Sequence, residues 1–340
     1  MEHSKTAVPF RGLWARARGS LLWSKTRESH IGQSWCTTRR FVREFWSWAQ
    51  SEDVILPRVE ELTKSLQALC ESATISVEGD SEAPIFLLAT GWRTGSTLLQ
   101  RILVTDPNVL IWGEPFGEMA ISSRLADMIS CFSKPPGIRE WTANETIEAS
   151  TLAQSWIANL TPPGEDFRLA VRRLFDQWLG EPARQRGYAR WGLKEVRLGA
   201  VEAIFLHWLY PKAKFVCLSR HPYDCYRSLA DSGWNDIYLS RPDVLVGSAA
   251  GLARHWNRLV LTLWKLPADF PAYHVKYEDV IERNFDFRKF ESWLGIKIKE
   301  ETALSVIVGH SSVRPRLGWH ERWIIRSEAS TGMQELGYSE

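Results

Sequence analysis

The chain has 340 residues, 44 % hydrophobic and 24 % charged, enough for a large core in one α/β domain with additions or in two domains. Its net charge of +2 is near balance and implies neither a nucleic-acid nor a membrane-surface partner overall. The balance conceals an asymmetry, because residues 1–43 carry nine Lys or Arg against Glu2 and Glu28, a net +7 that leaves −5 for the remainder.

Five cysteines, Cys36, Cys70, Cys131, Cys217 and Cys225, form no C-x-x-C pair and no metal-ligand spacing. An odd count, with Cys217 inside an apolar run, suits reduced thiols in a cytoplasmic protein. No apolar run approaches the ~20 residues of a transmembrane helix. Arginines interrupt Leu13–Trp23, so a secretory signal is not expected, and the sequons at Asn144 and Asn159 matter only in a secreted chain. The expectation is a soluble cytoplasmic protein without a metal.

Residues 1–80 are read as a basic N-terminal helical extension, and residues 81–340 as the main domain. Trp14, Trp23 and Trp35 dot an Arg-rich, acid-poor start, a composition shared by transit peptides, flexible arms and basic surface helices. Phe41, Phe45 and Trp48 share one helical face, and Ile55, Leu56, Val59, Leu62, Leu66 and Leu69 form a second stripe. Glu71–Ala83 is a polar connection.

The stretch from Pro84 to Glu114 organises the main domain. Ile85–Ala89 is a continuous apolar run, as expected of a buried parallel strand. Thr90, Gly91, Thr94, Gly95, Ser96 and Thr97 make a small-residue turn, and Leu98, Leu99, Ile102 and Leu103 recur at helical spacing. A strand, a tight turn and a helix N-terminus make an anion site, because the first-turn N–H groups are unpaired and the helix dipole is positive there. Arg93 adds a full charge. The nucleoside-triphosphate motif G-x-x-x-x-G-K-[ST] does not fit, since Gly91 and Gly95 are four apart and Ser96 stands at the lysine position.

Val109–Trp112 reads as a second strand ending at Gly113-Glu114, followed by a helix over Met119–Met128. Ser133–Gly137 breaks the chain. Residues 131–190 read as a helical insertion, a substrate-side cap or a plain structural subdomain. Strand–helix alternation then resumes: Trp191–Glu195 is a strand end, Ala200–Tyr210 a helix and Lys214–Leu218 a buried strand. Pro222 opens a helix, Val246–Leu266 forms a long one, and Ala272–Val275 is the next strand. This alternation predicts a three-layer α/β fold, a central parallel sheet flanked by helices with a P-loop-like nucleotide site. Ligands of such sheets gather at the carboxyl ends of the strands, where Arg93, Glu114, Lys194 and Ser219-Arg220 all fall.

Gly91-Trp92-Arg93-Thr94-Gly95-Ser96-Thr97 resembles the 5′-phosphosulfate loop of sulfotransferases in its R-[ST]-G-[ST]-[ST] form. Leu218-Ser219-Arg220-His221-Pro222, with Ser228 eight residues after Arg220, resembles the family's 3′-phosphate segment. Leu193-Lys194-Glu195, His255-Trp256-Asn257 and Tyr277-Glu278-Asp279 match further family stretches in order, over about Pro84 to Asp279.

The resemblance implies transfer of a sulfuryl group from 3′-phosphoadenosine-5′-phosphosulfate (PAPS) to a hydroxyl or amine without metal, leaving 3′,5′-adenosine bisphosphate (PAP). It implies that Arg93, Thr94, Gly95, Ser96 and Thr97 hold the phosphosulfate and that Lys194 reaches the bridging oxygen. Arg220 and Ser228 take the 3′-phosphate, Tyr277 the adenine side, and Arg314 or Arg316 a closing basic loop. Glu114, 21 residues after Arg93, matches the catalytic glutamate of the protein-tyrosine branch, with Glu118 and Glu195 as alternatives. Glu114 also suits a dipole-favoured acid at a helix start. His221, His255 and Trp256 read as loop and packing residues. The acceptor is expected to be small or medium-sized, and monomer and homodimer both stay open. A non-catalytic PAP- or PAPS-binding protein, or a nucleotide-dependent kinase, are the competing readings.

Overall fold

The computed structural model describes residues 83–116, 121–130, 153–154, 164–231, 248–299, 302, 305 and 316–339. The N-terminal extension, most of the insertion before residue 164, Glu118 and Arg314 lie outside the described residues.

Five parallel strands form one sheet: β1 (Ile85–Ala89), β2 (Val109–Trp112), β3 (Arg190–Glu195), β4 (Lys214–Ser219) and β5 (Ala272–Lys276). Their order is β2-β3-β1-β4-β5, so β1 is central, with Leu87 opposite Lys194 on one side and Val216 on the other. Every residue of β1 is 0 % exposed, which is why its sequence is apolar without alternation.

Alternate β1 residues feed opposite faces. Phe86 and Leu88 join Leu193, Phe215 and Cys217 in one cluster, and Ile85, Leu87 and Ala89 join Val216, Leu218 and Val275 in the other. The first face is covered by α3 (Gly164–Phe175), which runs through a π-helical turn at Asp176–Gly180 into α4 (Glu181–Arg184), and by α5 (Ala200–Leu209). On the second face lie α1 (Ser96–Leu103) and α9 (Phe287–Leu294). A further cluster joins α6 (Pro222–Asp231), α7 (Ala249–Leu263) and the C-terminal α10 (Trp319–Glu335). The remaining helices are α2 (Ile121–Ser130) and the short α8 (Tyr277–Ile281).

Local chemistry sets several boundaries. Ser248 Oγ accepts from Gly251 N at 3.0 Å to start α7, and Asp286 accepts from Lys289 N at 2.9 Å to start α9. Glu202 reaches back to Gly199 N at 2.8 Å at the head of α5. Gly192 in β3 is required by close approach: a Cβ there would lie 2.1 Å from Ile85 O and 2.6 Å from Ile111 Cδ1. None of the helices in the described residues is long and apolar enough to cross a membrane.

The strand order has a functional consequence. The chain leaves β1 toward β2 and leaves β4 toward β5, so the connections diverge between two adjacent strands. The region outside their carboxyl ends is where α/β sheets of this topology bind ligands.

Candidate active site

The loop after β1 is held by β4 and by its own side chains. Thr90 N donates to Leu218 O at 2.9 Å, and Thr94 Oγ1 donates to Gly91 O at 2.9 Å. Arg93 has φ +65°, a left-handed conformation uncommon for a side-chain-bearing residue. Gly95, at φ +89°, precedes α1, and a Cβ there would lie 2.1 Å from Tyr277 Cδ2. Leu98 N and Leu99 N donate to Gly95 O, and no side chain caps the helix. The Ser96 and Thr97 amides therefore begin the helix at its positive dipole end.

The two expected anion stations meet. Arg93 Nε donates to Ser228 Oγ at 3.0 Å, and Arg220 Nη1 donates to Arg93 O at 2.9 Å. Arg220 lies with its guanidinium carbon 4.4 Å from the centre of the Tyr277 ring, is 7 % exposed, and has an Nε with no hydrogen-bond partner among the described residues. A buried guanidinium with an unmet donor fits an anion, since such groups are normally paired. Tyr277 is thus brought to the site as the surface on which Gly95 and Arg220 rest.

At the ends of β2 and β3, Lys194 Nζ donates to Glu114 Oε1 at 2.7 Å. Lys194 is the penultimate residue of β3 rather than a residue beyond it. Sequence reading missed Arg197. Its Nη1 lies 2.9 Å from Glu114 Oε2 and 2.8 Å from Glu195 Oε2, and its guanidinium carbon is 5.3 Å from the centre of the Trp92 ring. The available signal was a basic residue shortly after a Lys-Glu pair at a strand end. Glu195 is fully buried, and its Oε1 accepts from Phe116 N at 3.1 Å. Burial pushes its carboxyl up to about 7; Arg197 opposes the rise and neighbouring Glu114 adds to it.

Trp92 packs beside the β3 half. Its ring centre lies 5.0 Å from that of His255, whose Nε2 contacts Val196 O at 3.0 Å while Nδ1 takes a bond from Arg258 Nη2. His255 is accordingly packing for the loop. Glu278 is also structural: Oε1 accepts from His221 N at 2.8 Å, and Oε2 accepts from Tyr338 OH at 2.9 Å. Burial first, then Glu278, raises the Tyr338 phenol well above the ordinary tyrosine range. Among the described residues no cluster of His, Cys, Asp or Glu could hold a metal ion. Arg316 is exposed.

Several solved structures are similar. They include a sulfotransferase domain from the curacin biosynthetic pathway (15 % identity, 76 % of this chain and 98 % of that one, TM-score 0.44). A sulfotransferase domain from the Synechococcus PCC 7002 olefin synthase has 18 % identity over 78 % of this chain and 100 % of its own, with TM-score 0.42. A sulfotransferase from Alicyclobacillus acidocaldarius has 17 % identity over 74 % and 94 %, with TM-score 0.39. No curated protein matches significantly. The sequence profile described as the sulfotransferase family matches residues 84–299, which span all five strands and both anion stations. On that match the chain belongs to the sulfotransferase family.

Proposed function

We propose that this protein transfers a sulfuryl group from PAPS to a hydroxyl or amine of a small or medium-sized acceptor, releasing PAP. The observation that carries the reading is the Lys194–Glu114 ion pair, 2.7 Å long, at the same end of the sheet as two mutually bonded anion stations, Arg93 with Ser228 and Arg220. The donor supplies an activated sulfuryl group and a separate 3′-phosphate. A site for it needs two anion-binding places and a donor at the leaving oxygen. Arg93 and the amides of Gly95, Ser96 and Thr97 are suited to the phosphosulfate, and Arg220 with its unmet Nε to the 3′-phosphate.

In the reaction the acceptor oxygen or nitrogen attacks sulfur, and the bond from sulfur to the bridging oxygen breaks. Glu114 takes the acceptor's proton, while Lys194 answers the charge that builds on the leaving oxygen. Lys194 must give up Glu114 Oε1 to do so, and that exchange opens the same oxygen to the acceptor's proton.

Purified protein given PAPS and a panel of hydroxyl and amine acceptors, without magnesium, is expected to release PAP. Arg93→Ala and Glu114→Gln are expected to abolish turnover, with Glu114→Gln still binding PAP in calorimetry. PAP binding without turnover over the whole panel would make the protein a nucleotide-binding module, and phosphate transfer from ATP with magnesium would make it a kinase. Either result overturns the proposal.

A further inference from the structure

We infer that Arg197 is a positioning residue for the transfer, fixing Glu114 so that the carboxylate keeps its place when Lys194 turns away. The inference rests on Glu114 acting as the base.

The geometry divides the two oxygens of Glu114 between two cations. Oε1 faces Lys194 Nζ at 2.7 Å, and Oε2 faces Arg197 Nη1 at 2.9 Å. The two cations differ in how they are held. Lys194 carries a point charge on a flexible stem and can exchange partners. Arg197 is braced from behind: the same Nη1 meets Glu195 Oε2 at 2.8 Å, and Glu195 is itself held by Phe116 N. Trp92 lies against the guanidinium, backed by His255 and Arg258 of α7. The Arg197 side chain is only 10 % exposed, and its Nε has no hydrogen-bond partner among the described residues. The carboxylates and the Trp92 ring are therefore what orient it.

This arrangement solves a problem in the chemistry. A base freed by the departure of its only cation would swing, and misplacement by about 1 Å can cost on the order of 100-fold in rate. Holding Oε2 on a braced guanidinium leaves Oε1 as the one oxygen presented to the acceptor. The charged groups facing Glu114 are Lys194 and Glu195 of β3 and Arg197 beyond it, and Arg197 is the cation that both carboxylates share.

Two variants and one control test the inference. In Arg197→Met, kcat is expected to fall roughly 100-fold while the Kd for PAP stays within about threefold. Arg197→Lys keeps the charge but loses the planar fork, and is expected to lose about tenfold in kcat with PAP affinity again unchanged. It carries the test should the Met variant fail to fold. Wild-type kcat in folded Arg197→Met, wild-type kcat in Arg197→Lys, or a fall in PAP affinity that parallels kcat would each overturn the inference. The control is Glu114→Gln. If it turns over normally, the assignment of the base fails; if it is inactive while both Arg197 variants behave as wild type, only the inference about Arg197 fails.

Discussion

Replacing Glu195 by glutamine should remove a pH-dependent loss of stability that the wild-type protein carries between about pH 4.5 and 7. Glu195 is 0 % exposed at the end of β3, and burial is the chief cause that raises its carboxyl from 4.5 to about 7. Inside that window the folded protein holds a proton that the unfolded chain has released. Stability from the protonated carboxyl is fully present below about 4.5 and is lost as pH rises through about 7. One pH unit corresponds to about 1.4 kcal/mol, so the window is worth about 3 kcal/mol from this group. Glutamine is nearly isosteric and keeps an oxygen for Phe116 N, yet cannot ionise. Other groups titrate over the same range, so the informative quantity is the difference between variant and wild type. Urea unfolding of both at about pH 4.5, 5.5, 6.5 and 7.5 should show that difference rising in favour of the variant by about 3 kcal/mol. A difference flat to within about 0.5 kcal/mol would refute the reasoning, and would mean that Arg197 neutralises Glu195 well enough to keep it ionised throughout.

Three further substitutions probe the nucleotide side. Gly95→Ala forces a side chain into φ +89° and within 2.1 Å of Tyr277 Cδ2, and should cost about 2–4 kcal/mol in urea unfolding and abolish PAP binding in calorimetry. Ser228→Ala removes the oxygen that orients Arg93 Nε; PAP affinity should fall roughly tenfold with the melting temperature little changed. Tyr338→Phe takes a hydrogen bond from Glu278 Oε2 and should lower stability by about 1–2 kcal/mol in urea unfolding.

How much of the molecule was legible in its residues alone depends on how local each signal was. β1 and β4 sit in the middle of the sheet and are buried on both faces, so their continuous apolar runs gave Ile85–Ala89 without error and placed β4 to within one residue. Arg93, Glu114 and Arg220 were recognisable because each closely follows a strand, where α/β sheets collect ligands. The strand order was not legible, since crossover connections leave no local trace. The π-helical turn at Asp176–Gly180 inserts too small a change to alter the apolar pattern. α10 was missed for a physical reason: Trp319 and Trp323 are 82 % and 60 % exposed, whereas Glu321 is 6 % exposed and reaches back to Gly318 N. That reverses the amphipathic rule by which surface helices are found. Arg197 was missed because its meaning depends on Glu114, a residue that follows another strand.

The central position of β1 places its loop between the two halves of the site. Trp92 and Arg93 are consecutive, yet they serve opposite halves of the site. Trp92 lies against Arg197 and so belongs to the β2–β3 half that holds Glu114 and Lys194. Arg93 bonds Ser228 and receives Arg220, and so belongs to the β4 half. The turn also bends at Arg93, whose backbone takes φ +65°. Glycine would take that conformation at lower cost but would carry no cation. The left-handed backbone is therefore kept at the residue that gives the loop its cation. Because one two-residue step touches both halves, a movement of the loop at Arg93 would also move the ring against which Arg197 rests.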